Sequence, residues 1–258
     1  MAASTLFGPG SMMWRVNSEP VLLLGARPAL LMQLAHPLVA AGVDQHSRFR
    51  KDPHGRLIAT LRTISTIVYG TRAEALEAAR RVNRMHSRVK GLAPDGAPYR
   101  ATDPVLLCWV FATLVESAVR VYETFVCGLT DDEREELYTE SKTMARLFGV
   151  PDAVLPATMD DLRAWMQELI DSREVAVTPL ARSLARPIIR PTRLLPWWAA
   201  IRLTPALASL LPAEIRAGYE LPLGRGETLA LNAMSRTSRL VTPRAPRAAK
   251  AFAFKALP

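Results

Sequence analysis

Apolar residues recur at intervals of three and four along most of the chain, and nowhere do they alternate with polar ones over the length of a strand. This pattern predicts an all-α fold with no substantial sheet. Leu57, Leu61, Ile64 and Val68 follow one another at spacings of four, three and four, predicting a helix from Arg56 to Tyr69 that Gly70 stops. Thr71 with Glu74 three residues on is a capping box, opening a helix over Arg72 to Val89 whose apolar stripe carries Ala75, Ala79, Val82, His86 and Val89. Asp103-Pro104, a cap followed by a first-turn proline, begins a stretch to Val126 that is apolar almost all round, the mark of a central helix. Thr130 and Glu133 open a more charged helix ending at Gly149, and a further amphipathic one spans Thr158 to Ser172. Upstream, Trp14 to Pro20 precedes an apolar helix from Ala29 to Val43, initiated by Pro28 and kinked at Pro37. Asp44 to Gly55 reads as a polar link and Gly91 to Thr102 as a loop.

Composition adds an organisation to these elements. With 258 residues, 49% of them hydrophobic, the chain can bury one large core. The 20 prolines cluster after Thr178, with half of them in that last third of the chain, so it is expected to break into short helices and turns. The expected division is a single globular multi-helix domain over 1–218 and a basic, proline-rich C-terminal extension over 219–258 that packs on it or trails from it. Of the net charge of +9, residues 173–258 carry +10 and residues 1–172 carry −1. Such a tail suits an anionic membrane surface at its periphery or simple solvation. No zinc-finger spacing, aromatic RNA-binding string or helix-turn-helix accompanies it, so nucleic acid is not an expected partner. Cys108 and Cys127 read as reduced core residues, and Met1 to Gly10 lacks the charged and apolar regions of a secretory leader, which together point to the cytoplasm. The most membrane-like stretch, Leu194 to Leu211, is interrupted by Pro196, Arg202 and Pro205, so at most it lies on a membrane, with Trp197 and Trp198 at the interface.

Four histidines, at 36, 46, 54 and 86, bound any imidazole chemistry. His86 falls on a core-facing stripe, where each ring nitrogen needs a partner. Two readings stay open: a core histidine bonded to a backbone carbonyl, or an axial haem ligand in an apolar slot. Arg56, Thr60 and Thr63 share one stripe beside the apolar face of their helix and supply cationic and hydroxylic groups; a solvated helix edge is the alternative. His36 sits at the kink in Gln33-Leu-Ala-His-Pro37, either as a ligand or tying the kink together. His46 pairs locally, Asp44 with it makes no metal site unaided, and His54 lies in a loop. A di-iron bundle needs Glu-x-x-His pairs, but Gln33, Val43, Lys51 and Asn83 stand three positions before the histidines. HExxH, a phosphate-binding Walker loop, a serine elbow and a dinucleotide fingerprint are all missing. Glu116 on the central helix is a buried carboxylate facing Arg120 one turn on.

Gln33-Leu-Ala-His-Pro37, Gly42-Val43 with His46-Ser47, Arg56-Leu57 with Thr60, His86 with Val89 and Gly91, Tyr99, Asp103-Pro104 and Trp109 form an ordered set. It continues through Tyr122, Tyr138, Gly149-Val-Pro151 and Pro156. In this order the chain, from Trp14 to about Gly218, resembles the catalytic domain of latex-clearing proteins and MpaB-type oxygenases. The resemblance implies a globin-reminiscent all-α fold holding haem b, with His86 as proximal ligand and metal-binding residue. It places Arg56, Thr60 and Thr113 near the haem, Arg56 and Thr60 to hydrogen-bond the bound oxidant or a propionate. The implied activity is a haem-dependent oxidoreductase, an oxygenase or peroxygenase, acting with dioxygen or a peroxide on a hydrophobic small molecule. A non-catalytic haem carrier or gas sensor, or a membrane-surface protein with a decayed site, are the other readings. Two departures stand out: Leu38 to Val43 holds no counterpart of the catalytic glutamate of rubber-cleaving members, which argues against polyisoprene cleavage, and Phe111 stands where many relatives carry histidine.

Overall fold

A computed structural model of the chain describes residues 4–47, 49, 52–189, 207–221 and 223–242. Most of the segment around Trp197 and Trp198 lies outside them. The described helices are α1 (Met12–Asn17), α2 (Ala26–Ala35), α3 (Pro37–His46), α4 (Pro53–Tyr69), α5 (Arg72–His86), α6 (Pro104–Phe125), α7 (Asp131–Leu147), α8 (Met159–Asp171), α9 (Pro179–Ile189), α10 (Ala213–Gly218) and α11 (Arg225–Val241). Single 3-10 turns, Pro20–Gly25 and Asp152–Val154, precede α2 and α8. The fold is all-α, as the spacing predicts.

Helix α6 is the axis. Asp103 caps it with its side chain, and Trp109, Cys108 and Val119 on it are wholly buried. It meets the apolar length required for a membrane crossing, yet 72% of its most apolar window is buried by the helices around it. Helix α2 runs antiparallel along it: the Trp109 indole donates to the Met32 carbonyl at 3.2 Å, and the Gln33 amide donates to the Thr113 hydroxyl at 3.2 Å. Helices α7, α8 and α11 also pack on α6, while α9 packs on α2 and α3.

Pro37 separates α2 from α3 as expected, and the chain turns there by 103°. Proline has no N–H to continue a helix. The corner is closed by His36, whose Nδ1 accepts the Leu38 N–H at 3.3 Å. The two predicted capping boxes at Thr71 and Thr130 form, each with the glutamate three positions later bonding back, and Thr158 with Asp161 makes a third.

Differences from the sequence-based picture have local causes. Helix α2 starts at Ala26, so Pro28 sits inside its first turn, where backbone N–H groups still lack partners. Helix α5 ends at His86, after which the chain tightens: the Arg88 and Val89 N–H groups bond three residues back, to the Met85 and His86 carbonyls, in place of the four-residue helical step. The predicted loop after it contains a short antiparallel hairpin, β1 (Lys90–Leu92) with β2 (Pro98–Arg100). Its turn, Pro94-Asp95-Gly96, has Gly96 at φ +86, a conformation glycine adopts freely. Cys127 is exposed beyond the end of α6, not a core residue, whereas burial pushes the Cys108 thiol up to about 12. Helix α11, within the expected extension, packs Leu231 and Met234 near Val121 and Phe125. Arg239 donates to the Glu123 and Thr124 carbonyls left free where α6 ends.

Candidate functional site

Helices α4 and α5 form a hairpin through Gly70 and Thr71. Arg56 lies fourteen residues before Gly70 and His86 fifteen after Thr71. At 1.5 Å per residue, both stand about 21 Å from the turn, level with each other at the open end of the hairpin. Their proximity shows in their electrostatics. The His86 imidazole is held below its ordinary value, mainly by burial and additionally by the Arg56 cation. Its Nδ1 is buried without a hydrogen-bond partner, so a neutral ring keeps an uncommitted nitrogen inside the protein.

Arg56 is half-buried, and desolvation lowers its own value. Its Nη1 donates to the Ser47 hydroxyl at 2.5 Å, and it makes no ion pair among the described residues. A guanidinium presents five donors, so most of this half-buried cation's capacity is unspent among the described residues.

Arg56 forms one rim of a cleft between α1, α2, α4, α6 and α7 with a cavity volume of about 130 Å³. The walls are largely apolar, with Leu30, Phe49, Leu61, Leu114, Val115 and Met144 among them. The α4 wall is the stripe Arg56, Leu57, Thr60, Leu61 and Ile64. Gln33, Asn17, Ser117 and Ser141 are the other polar residues on the lining.

The structure brings some of the sequence-derived residues together and separates others. Arg56 and Thr60 both face the cleft, and the Thr60 hydroxyl donates to the Arg56 carbonyl at 3.0 Å, leaving its oxygen free to accept. Thr113 is buried just behind the lining, holding the Gln33 amide that reaches the cleft and donating its own proton to the Val110 carbonyl. His86 neighbours Arg56 but is not itself a lining residue. Thr63 is off the cleft, its hydroxyl turned back to the Ala59 carbonyl at 2.9 Å. Phe111 packs against the Tyr138 ring in the core, 6.3 Å between centroids.

His36 is 2% exposed, and burial lowers it to about 4 against a small opposing pull from Asp103. Because its Nδ1 accepts a backbone N–H, the neutral ring carries its proton on Nε2, which is the remaining nitrogen and the one without a partner. In this tautomer neither nitrogen offers a free lone pair. His46 is likewise committed, its Nε2 donating to the Lys90 carbonyl at 3.1 Å and fastening α3 to β1. Among the described residues no three of His, Cys, Asp and Glu converge as a metal-binding group. Glu116, 4% exposed, is spent structurally on Arg120 at 2.5 Å and Arg163 at 3.0 Å.

The lining contributed by Asn17, Ser117, Ser141 and Met144 has no motif in the sequence. These residues come from three helices far apart in the chain, and only packing assembles them.

The family model described as "ER-bound oxygenase mpaB/B'/Rubber oxygenase, catalytic domain" matches residues 14–240. No curated protein and no solved structure gives a match.

Proposed function

The chain belongs to the mpaB/B' and rubber oxygenase catalytic-domain family, and from that premise we propose that it is a haem b-dependent oxygenase acting on a hydrophobic small molecule. The family gives the oxygenase type of role. The cofactor and the substrate class are what the resemblance implies, and the residues present fit both.

The observation that carries the reading is the pair at the open end of the α4–α5 hairpin. A half-buried neutral imidazole, its Nδ1 buried and unpartnered, lies beside a half-buried guanidinium without a carboxylate among the described residues, and that guanidinium lines an apolar cleft. These residue types fit haem, which asks for one neutral histidine, an apolar slot and a cation for an acid group. His86 would hold it through a ring nitrogen. Bound there, haem would supply the redox chemistry with dioxygen or a peroxide.

The chain's own groups have distinct tasks. Burial and the Arg56 charge keep His86 unprotonated near neutral pH, so its lone pair is available. Arg56 supplies unspent donors to a propionate or to the oxidant, and its bond to Ser47 fixes its direction. Thr60 offers an acceptor at the same rim, and Thr113 sets the orientation of the Gln33 amide in the cleft. The leucine, valine and methionine walls exclude water and suit an apolar substrate. Among the described residues no carboxylate lines the cleft, and Leu38 to Val43 holds no glutamate, so the reading does not extend to polyisoprene cleavage.

The test is the visible spectrum of the chain produced with haem supplied. A Soret band is expected that persists in His36→Ala and is lost or shifted in His86→Ala. A protein without the band, or one whose band is indifferent to His86→Ala, would overturn the assignment.

A further inference from the structure

Helix α11 is apolar on two sides. The inner side is spent on packing, with Leu231 and Met234 set against Val121, Phe125, Leu207 and Leu210. The outer side is a second stripe: Arg225, Leu229, Ala233, Arg236 and Leu240 recur at spacings of four, four, three and four, and all are exposed. Leu229 is 68% exposed and Leu240 61%. Eleven residues amount to three turns and a small remainder, so the two leucines lie on one line about 16 Å apart.

The charges on this face have one sign. Arg225 and Arg236 make no ion pair among the described residues, whereas Arg239 is turned inward to the end of α6. The one carboxylate of the helix, Glu227, is half-buried and accepts the Gly224 N–H at 2.8 Å. Around it, residues 173–258 carry a net charge of +10.

Leucines standing out among unpaired arginines match the chemistry of an anionic bilayer surface, where apolar side chains enter the headgroup boundary and guanidinium groups stay at its level. A phosphate backbone offers nothing to the leucines. A parallel two-fold pairing of this stripe with a second copy sets arginines against arginines, and an antiparallel one centred near Ala233 buries each arginine against a leucine with no carboxylate to meet it. We propose that the outer face of α11 docks the protein on an anionic lipid surface, lying along the interface without crossing it.

The test is co-sedimentation of the full chain with large unilamellar vesicles of phosphatidylcholine, with and without a minor share of phosphatidylserine. Binding is expected to the mixed vesicles alone and to weaken as salt is raised. Leu229→Ser with Leu240→Ser leaves every charge in place and is expected to reduce partitioning at least about tenfold, because the apolar contribution is gone. Arg225→Gln and Arg236→Gln should each weaken it roughly fivefold. Thermal melts of each variant show that the fold is kept; any that unfolds is replaced by Leu229→Gln with Leu240→Gln. Three results overturn the proposal: equal sedimentation, or none, with both vesicle types; binding that survives the double leucine variant; or a dimer in solution that the same variant dissociates.

Discussion

Replacing His36 by Asn separates two jobs done by one ring. Asn still accepts the Leu38 N–H as a helix cap, but it cannot titrate. His36 in the fold is lowered from 6.5 to about 4, chiefly by burial. A base that is lowered on folding binds fewer protons folded than unfolded, so its contribution is fully present above about pH 6.5, drains away as pH falls and levels off below about pH 4. At pH 4.5 the unfolded imidazole is almost wholly protonated while the folded one is mostly neutral, which amounts to about 2.5 kcal/mol relative to pH 7.5. Urea unfolding followed by circular dichroism at those two pH values measures it. Wild-type protein should lose about 2.5 kcal/mol more than His36→Asn over that interval. If the two proteins lose stability in parallel, His36 is not a buried neutral histidine and the tautomer argument removing it as an iron ligand falls with it.

Two further outcomes concern buried charges. Arg56→Met should leave the haem-free protein equally stable or about 1 kcal/mol more stable, since an ion without a counter-ion carries a desolvation cost; urea melts read this. The same variant should weaken haem binding about tenfold in a Soret titration, and a variant that is destabilised yet binds haem normally contradicts the assigned role. Glu116→Gln should lower stability by about 3 kcal/mol in the same melts, because two arginines lose a buried partner.

Much of the architecture is written in short-range signals. Caps at Thr71 and Thr130, the proline at 37 and the unbroken apolarity after Asp103 act within one or two turns, and each acts in the structure as it reads in the sequence. The hairpin β1–β2 was readable too, since Pro94-Asp95-Gly96 is a turn signature of known chemistry. The site is less legible because it depends on distances between elements. One helix wheel places His86 toward the core and another places Arg56 beside an apolar face, but their meeting follows from the matched lengths of α4 and α5. Thr63 shares the stripe of Arg56 and Thr60 on paper, yet the face of α4 that lines the cleft runs from Arg56 through Thr60, Ile64 and Leu57 to Leu61, and Thr63 lies beyond its edge. Cys127 misleads for a related reason: its neighbours are apolar, but α6 ends at Phe125 and the next residues leave the core.

The hairpin that carries Arg56 and His86 also behaves as a pair of levers joined at Gly70. With arms of about 21 Å, a change of only about 3° in the angle between them alters the spacing at the far ends by roughly 1 Å. The pivot is tight: a β-carbon at position 70 would lie 2.5 Å from the Thr66 carbonyl oxygen. The spacing of the Arg56 and His86 side chains is thereby governed from a residue that touches neither, and the tolerance of the proposed haem site is set at the opposite end of the helices that bear it.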